Sequence, residues 1–408
     1  MEAPVFVLGG AQTDFARNAS REGRRIDDLV REAVEGALED AQVDPEAIDV
    51  VHVGNAFGEL FAGQAQLGAM PATVVPGLWG KPASRHEAAC ASGSAAALAA
   101  CADLQAGRYR CALVVGVEQE RNVPGEVAAR HMGTAALAGR EGLEARFLWP
   151  HLFARLAEHY QERYGLDRAH LAAIARKNLK NAKRNPLAQT RGWVIDDGAF
   201  LAEDERNPPV EGALRRLDCS QVTDGAAALV LGGEAFAREH ATRAGRPLDA
   251  AARVLGWGHR TAGLGLEEKL RRGDIHVFPH LRDALGDALR RAGMTSVAEL
   301  DGLEVHDCFT ITEYVIADHL GLAPPGGVGR LIEAGDFERG GRLPLNPGGG
   351  LIGGGHPVGA TGVRMLLDAA RQVTGRAGDA QIDGARTFAT LNLGGSMTTI
   401  LSFLLGSG

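Results

Sequence analysis

Apolar positions along the chain alternate between two rhythms. Val5-Phe6-Val7-Leu8 is a short continuous apolar run into Gly9-Gly10, which predicts a buried strand. Ile26, Leu29, Val30, Ala33, Val34 and Leu38 then recur at helical spacing and predict a helix over Ile26–Ala41. Val50–Gly54 and Cys111–Gly116 read as further buried strands. Between them, Gly80–Ala89 leads into His86–Ala100 (HEAACASGSAAALAA), whose run of alanines with Leu98 predicts a buried helix that Gly107 ends. Short apolar strands alternating with helices predict a layered α/β fold with helices covering the sheet.

From Glu120 to Arg216 the rhythm changes. This segment is more charged and offers few strand candidates; Phe153–Arg163 and Asp167–Lys183 read as amphipathic helices, so it has the character of an insertion. Strand-like sequence resumes at Val222–Gly232, and a second half starts near Ala252–Gly256. That half is predicted to hold helix His280–Ala292, strand Gly302–Val305, helix Thr312–Gly321, a glycine-rich turn, helix Gly362–Val373 and strand Thr387–Leu405. Asp224–Leu231 and Gly394–Leu401 share a pattern, as do the Cys90 turn with its helix and the Gly353–Gly362 turn with its helix. These parallels suggest a duplicated unit. The expected division is 1–119 with 217–251 as a first half, 120–216 as an inserted domain, and 252–408 as a second half.

Composition narrows the classes. A chain of 408 residues exceeds what one core usually supports, in keeping with two halves. A formal charge of −8 gives no basic surface for nucleic acid. The five cysteines (Cys90, Cys101, Cys111, Cys219, Cys308) are odd in number and irregularly spaced, without CxxC or Cys/His metal spacing. Reduced thiols in a cytoplasmic compartment are the expectation. The N-terminus lacks the pattern of a signal peptide, no apolar run is long enough to span a membrane, and Leu405–Gly408 carries no targeting signal.

Five stretches carry candidate chemistry. A cysteine at the turn before the alanine-rich helix meets free backbone N–H groups and the helix dipole, which favour a nucleophilic thiolate; a packed structural cysteine fits the same local sequence. In Val305-His306-Asp307-Cys308-Phe309, His306 and Cys308 are two apart on a strand end and can share a face, whereas three consecutive side chains cannot form a triad. A buried strand end is the plainer reading. Asn346–Gly362 is dense in glycine but has neither a phosphate-loop ending nor a dinucleotide fingerprint, so His356 reads as a base or an oxyanion donor. Leu391–Ser396 reads as a turn whose amides could complete an oxyanion hole. Lys177, Lys180, Lys183 and Arg184 form a basic cluster, either a solvated face or a contact for the phosphates of a nucleotide-bearing substrate.

Together and in this order, Cys90-Ala91-Ser92-Gly93, His306-Asp307-Cys308-Phe309, Gly355-His356-Pro357-Val358-Gly359-Ala360-Thr361-Gly362 and Gly394-Gly395 resemble the thiolase family, from about Phe6 to Phe403. The commonest thiolases carry Asn-Glu-Ala-Phe at the second motif and a second catalytic cysteine near the C-terminus. This chain has Asn392 at that C-terminal position and Cys308 in an HDCF motif, as sterol-carrier-protein-type thiolases do, without the carrier domain.

The resemblance implies a five-layer α-β-α-β-α thiolase fold with an inserted loop domain covering CoA. It implies that Cys90 takes up an acyl group, that His356 accepts its proton, and that Cys308 is the acid/base for the substrate α-carbon. It further implies oxyanion stabilisation by His306 and His356 and by the amides of Cys90 and Gly394. Acyl-CoA and CoA are then substrates, with no metal or redox cofactor, and the protein is a homodimer or homotetramer, with a small partner protein possible. The Cys90 and Cys308 sulfurs are expected to lie roughly 4 Å apart or slightly more. Rival readings are a thiolase-like retro-aldolase, a ketoacyl synthase and a non-catalytic acyl-CoA-binding subunit. Cys101, Cys111 and Cys219 read as packed residues and Asp307 as a structural acceptor; His86 and His131 are candidates for the pocket border.

Overall fold

The nine principal strands join into one mixed sheet that folds around two central helices. The structure, a computed structural model, describes residues 3–200, 205–272 and 275–407. Met1, Glu2 and Gly408, which were read for targeting signals, lie outside the described residues. The strands are β1 Val5–Gln12, β2 Val50–Gly54, β3 Ala83–His86, β4 Cys111–Glu118, β5 Pro209–Glu211, β6 Leu214–Arg215, β7 Gly225–Gly233, β8 Ala252–Thr261, β9 Gly302–Val305, β10 Thr387–Gly394 and β11 Thr399–Ser407. Strand order is β3-β2-β4-β7-β1-β8-β11-β10-β9, with β5 and β6 forming a separate ribbon. The halves meet where β1 pairs with β8 through Val5, Phe6 and Val7 alone.

Helix Ile26–Ala41 buries Ile26, Leu29, Val30, Ala33, Val34 and Leu38, the apolar stripe of its sequence, against the outer face of β1 and β7. Arg25 N donates to Asp28 Oδ2 (2.9 Å) at its start, and Gln42 in the left-handed region ends it. Helix Pro279–Arg291 covers β8 and β11 in the same way. Between the two sheet halves lie helices Ser92–Gln105 and Val358–Val373, packed on each other; the second touches β4 and β7 on one side and β10 and β11 on the other. The result is the expected α-β-α-β-α layering.

Small residues permit this central layer. A Cβ on Gly93 would fall 2.6 Å from the Gly359 carbonyl oxygen, and one on Gly362 would fall 2.3 Å from Ser94 N. The two helices therefore cross in backbone contact near their N-termini, which brings the turns before them, Cys90 and His356, to one place.

Local readings differ from the structure in a few places. The expected strand Thr387–Leu405 is two antiparallel strands, β10 and β11, because Gly395 (φ +64°) and Met397 (φ +59°) reverse the chain. The glycine-rich helix begins at Val358, directly after Pro357, and the HDCF helix begins at Thr310. Strand β7 starts at Gly225 rather than Val222. Between β4 and β7 the chain forms helices Gly125–Gly133, Leu148–Tyr164 and Arg168–Ala182 and the β5–β6 ribbon. Among the described residues no helix is long and apolar enough to cross a membrane.

Candidate active site

Cys90 sits on a tight turn between β3 and helix Ser92–Gln105. Ala89 before it adopts φ +49°, a strained conformation for a residue with a Cβ. Ser92 holds the turn: its hydroxyl accepts from Ala88 N (2.9 Å) and donates to the Ala89 carbonyl (2.6 Å). Cys90 is half-buried and opens, with Cys308 and His356, on a cavity of about 220 Å³. A wider cleft of about 350 Å³, against Gly9, His240 and Arg371, contains none of the cysteines.

The two histidines are placed by side-chain bonds that leave one nitrogen of each ring available. The Thr361 hydroxyl donates to the Pro357 carbonyl (3.0 Å), so it accepts from His356 Nδ1 (2.7 Å), and Nε2 of the neutral ring keeps its lone pair. His306 Nδ1 meets Asn392 Oδ1 at 2.9 Å, and Asn392 Nδ2 donates to Ser94 Oγ at 2.9 Å. The rings stand edge to face with centroids 5.1 Å apart. One donor atom each from Cys90, His306 and His356 lies within 4.8 Å of the others, a spacing that suits a nucleophile with its base and could also grip a metal ion.

Electrostatics correct the thiolate expectation. Burial pushes the Cys90 thiol up to about 12, outweighing the Gly395 amide that approaches its sulfur. Burial also lowers His306 to about 3, and burial with His306 as neighbour lowers His356 well below its ordinary value. The resting pair is thus a neutral thiol beside a neutral imidazole. Cys308 is raised well above the ordinary thiol range by burial and by Cys90, while the Thr312 hydroxyl, 3.5 Å from its sulfur, opposes the shift.

Asp307 is a structural acceptor, as expected. Its carboxyl takes Leu351 N (2.6 Å), Ile352 N (3.1 Å) and Asn178 Nδ2 (2.7 Å), tying the HDCF strand end to the glycine-rich turn. Gly350 belongs to this junction, since a Cβ there would fall 2.4 Å from Asp307 Oδ1.

Other expectations need correction. Lys177 offers no charge to a substrate: it is 4% exposed, paired with Glu313 (2.9 Å) and bonded to the Leu345 carbonyl (2.8 Å). Lys180, Lys183 and Arg184 are exposed at the end of the same helix and do not line the cavity. Gly394 ends β10 against the Ala88 carbonyl, where a Cβ would fall 2.1 Å away, while its neighbour Gly395 lines the cavity. His86 bonds His52 (2.9 Å) and His131 packs on Phe61; neither lines the cavity. Cys101 and Cys111 are buried as expected, but Cys219 lines the cavity wall. Glu120 lines it as well and was not singled out from the sequence, where it reads as the first charge of the insertion. Aromatic side chains, among them Phe147, Trp149, Phe153 and Phe309, supply much of the remaining wall.

Two family models match the chain: the thiolase N-terminal domain over residues 5–235 and the thiolase C-terminal domain-like model over residues 267–407. The acetyl-CoA acetyltransferase of Methanothermobacter thermautotrophicus is 33% identical over 394 residues, covering 96% of each chain. Human sterol carrier protein 2 is 30% identical over 414 residues, covering 98% of this chain and 72% of that protein. Among solved structures, an Ltp2-ChsH2(DUF35) aldolase aligns with a TM-score of 0.79 at 22% identity, covering 100% of this chain and 98% of that one. The human mitochondrial 3-ketoacyl-CoA thiolase in complex with CoA aligns at 0.70 and 18%, with coverage of 100% and 98%. These two structures agree with the layered fold, and with matched models spanning both halves the chain belongs to the thiolase family of acyltransferases.

Proposed function

We propose that the protein transfers acyl groups between acyl-CoA and CoA through an acyl-enzyme on Cys90, cleaving 3-oxoacyl-CoA by thiolysis or, in the opposite direction, condensing two acyl-CoA by Claisen chemistry. The observation that supports this most is the meeting of Cys90, Cys308 and His356 on one cavity. In the cleavage direction Cys90 Sγ bonds to the C3 carbonyl carbon and its proton passes to His356 Nε2, which the Thr361 bond leaves free to accept it. The C2–C3 bond then breaks, and the acetyl-CoA enolate takes its proton from Cys308, whose raised pKa keeps that proton in place at rest. CoA thiol next attacks the thioester on Cys90, its proton passing to the Cys308 thiolate; the acyl group leaves on CoA and protonated His356 returns its proton to the Cys90 sulfur, which restores all three groups.

The amides of Cys90 and of Gly395, which takes the place expected for Gly394, are the proposed donors to the tetrahedral oxyanion. His356, once protonated, and His306 are the proposed donors to the enolate oxygen. His306 serves in the tautomer with its proton on Nε2, the Asn392 amide turned so that Nδ2 faces the ring; the Ser94 hydroxyl fits either orientation because it can donate or accept. CoA is a substrate here, and Lys180, Lys183 and Arg184 are the proposed contacts for its phosphates. A cytoplasmic homodimer or homotetramer is the assembly that goes with this reading. The Ltp2-ChsH2(DUF35) aldolase joins two components, so a small partner protein belongs to the same set of proposals.

Cys308→Ala separates this reading from a retro-aldolase or a binding subunit. The variant is expected to accept an acetyl group on Cys90 from acetyl-CoA, yet to lose condensation by ~10²-fold or more, since only the carbon-proton step has lost its base. Condensation at the normal rate would remove Cys308 from that role.

The neutral Cys90–His356 pair also sets a pH dependence. His356 is held below its ordinary value of about 6.5, so its lone pair is lost only as pH falls below that value, and the Cys90 thiol stays protonated up to about 12. CoA release in the acylation step is therefore expected to stay flat from about pH 6.5 to 9. A rate that climbs through neutral pH would indicate instead a thiolate forming there.

A further inference from the structure

Three carboxyls crowd together beside the cavity, and only one lacks partners. Glu118 accepts from Asn55 Nδ2 (2.7 Å), Phe57 N (3.1 Å), Ala56 N (3.0 Å) and Gly359 N (3.1 Å). Asp224 accepts from Ala19 N (2.9 Å), Glu120 N (2.7 Å) and Arg121 N (2.7 Å). Glu120 is 1% exposed, and neither of its carboxyl oxygens accepts a well-formed hydrogen bond, although the amides of Val358 and Thr223 lie in its neighbourhood. It lines the same cavity as Cys90, Cys308 and His356. Thr223 also holds the His356 loop, its hydroxyl accepting from His356 N (2.8 Å), so Glu120 stands at the reacting end of the cavity.

We propose that Glu120 is a specificity-determining residue whose neutral carboxylic acid binds a hydroxyl or oxo oxygen carried by the acyl chain near the thioester. Glu118 and Asp224 have well-formed bonds from amide donors that support negative charge; at Glu120 the amides of Val358 and Thr223 fall short of that, and burial and two acidic neighbours outweigh them, so the proton of this cluster resides on Glu120. A buried acid with unused hydrogen-bonding capacity is costly; a substrate hydroxyl, which accepts from its O–H and donates to its C=O, offsets that cost, and an oxo oxygen, which only accepts, offsets part of it. The surrounding wall of Phe57, Phe147, Trp149, Phe153 and Phe309 offers only apolar contact to the rest of the chain. A plain saturated acyl group would leave the acid unpaired. The inference rests on the acyl-transfer reading above.

The test compares acylation of Cys90 in the purified full-length protein by butanoyl-CoA and by 3-hydroxybutanoyl-CoA, read as acyl mass on the protein and CoA released. Wild type is expected to favour the hydroxylated donor by about tenfold in second-order rate. Glu120→Met is expected to bring the ratio to about one, and Glu120→Gln, which is uncharged and still donates and accepts, to retain most of it. Thermal unfolding establishes that each variant is folded; should Glu120→Met not fold, the wild-type ratio and that of Glu120→Gln still decide. Equal rates in wild type, or a preference that survives Glu120→Met, overturn the proposal while leaving the acyl-enzyme intact. Faster acylation by 4-(trimethylammonio)butanoyl-CoA than by either donor overturns it in favour of an ionised Glu120 that pairs with a cation. Failure of wild type to acylate Cys90 with any donor overturns the acyl-transfer reading, and this inference with it.

Discussion

Cys90→Ala is expected to reduce thiolysis of acetoacetyl-CoA by about 10⁴-fold or more, measured as acetyl-CoA formed from acetoacetyl-CoA and CoA. The size follows from chemistry rather than stability. In the proposed mechanism Cys90 forms the covalent bond; of the two other cysteines on the cavity, Cys308 is assigned a different step and Cys219 none. The substitution removes one sulfur from a half-buried position, so the fold and the cavity should persist and CoA should still bind. Loss of activity together with loss of folding would leave the rate unexplained by the nucleophile, so a thermal melt accompanies the assay.

His356→Ala is expected to cost well over the ~10²-fold typical of one general base, because the side chain serves twice. In the proposed mechanism it removes the Cys90 proton, and once charged it donates to the enolate oxygen. Its neutral resting state makes the first role possible: with the thiol held up to about 12 and the imidazole held low, attack and proton transfer must occur together. His356→Asn tests the division of labour, since a carboxamide can still donate to the oxyanion but cannot take up the proton. That variant should recover part of the enolate step and none of the acylation step. Near-normal turnover in His356→Ala, measured by the same assay, would remove the residue from the site.

Much of this was legible in the sequence where short-range pattern decides structure. Helix Ile26–Ala41 and strands Val50–Gly54 and Gly302–Val305 match their expected limits to the residue, because apolar spacing and flanking turn residues act locally. The motifs around Cys90, Cys308 and His356 were also visible, and the structure brings them to one cavity. What escaped depends on distant neighbours. The helix N-terminus suggests a thiolate at Cys90, but burial in the fold holds the thiol protonated. Lys177 looks like one of a basic cluster until helix Thr310–His319 supplies Glu313. The break at Gly395 lies inside a run whose apolar content reads as one strand. Glu120 follows a buried strand by two residues and only the fold turns it inward.

The most direct measurement is peptide mapping by mass spectrometry of wild-type protein mixed with acetyl-CoA and quenched in acid. One acetyl group is expected on the peptide containing Cys90, with one CoA released for each and the label discharged by added CoA. Acetylation at another residue with Cys90 unmodified, or cleavage of a 3-hydroxyacyl-CoA to an aldehyde with no acyl group ever on the protein, would contradict it.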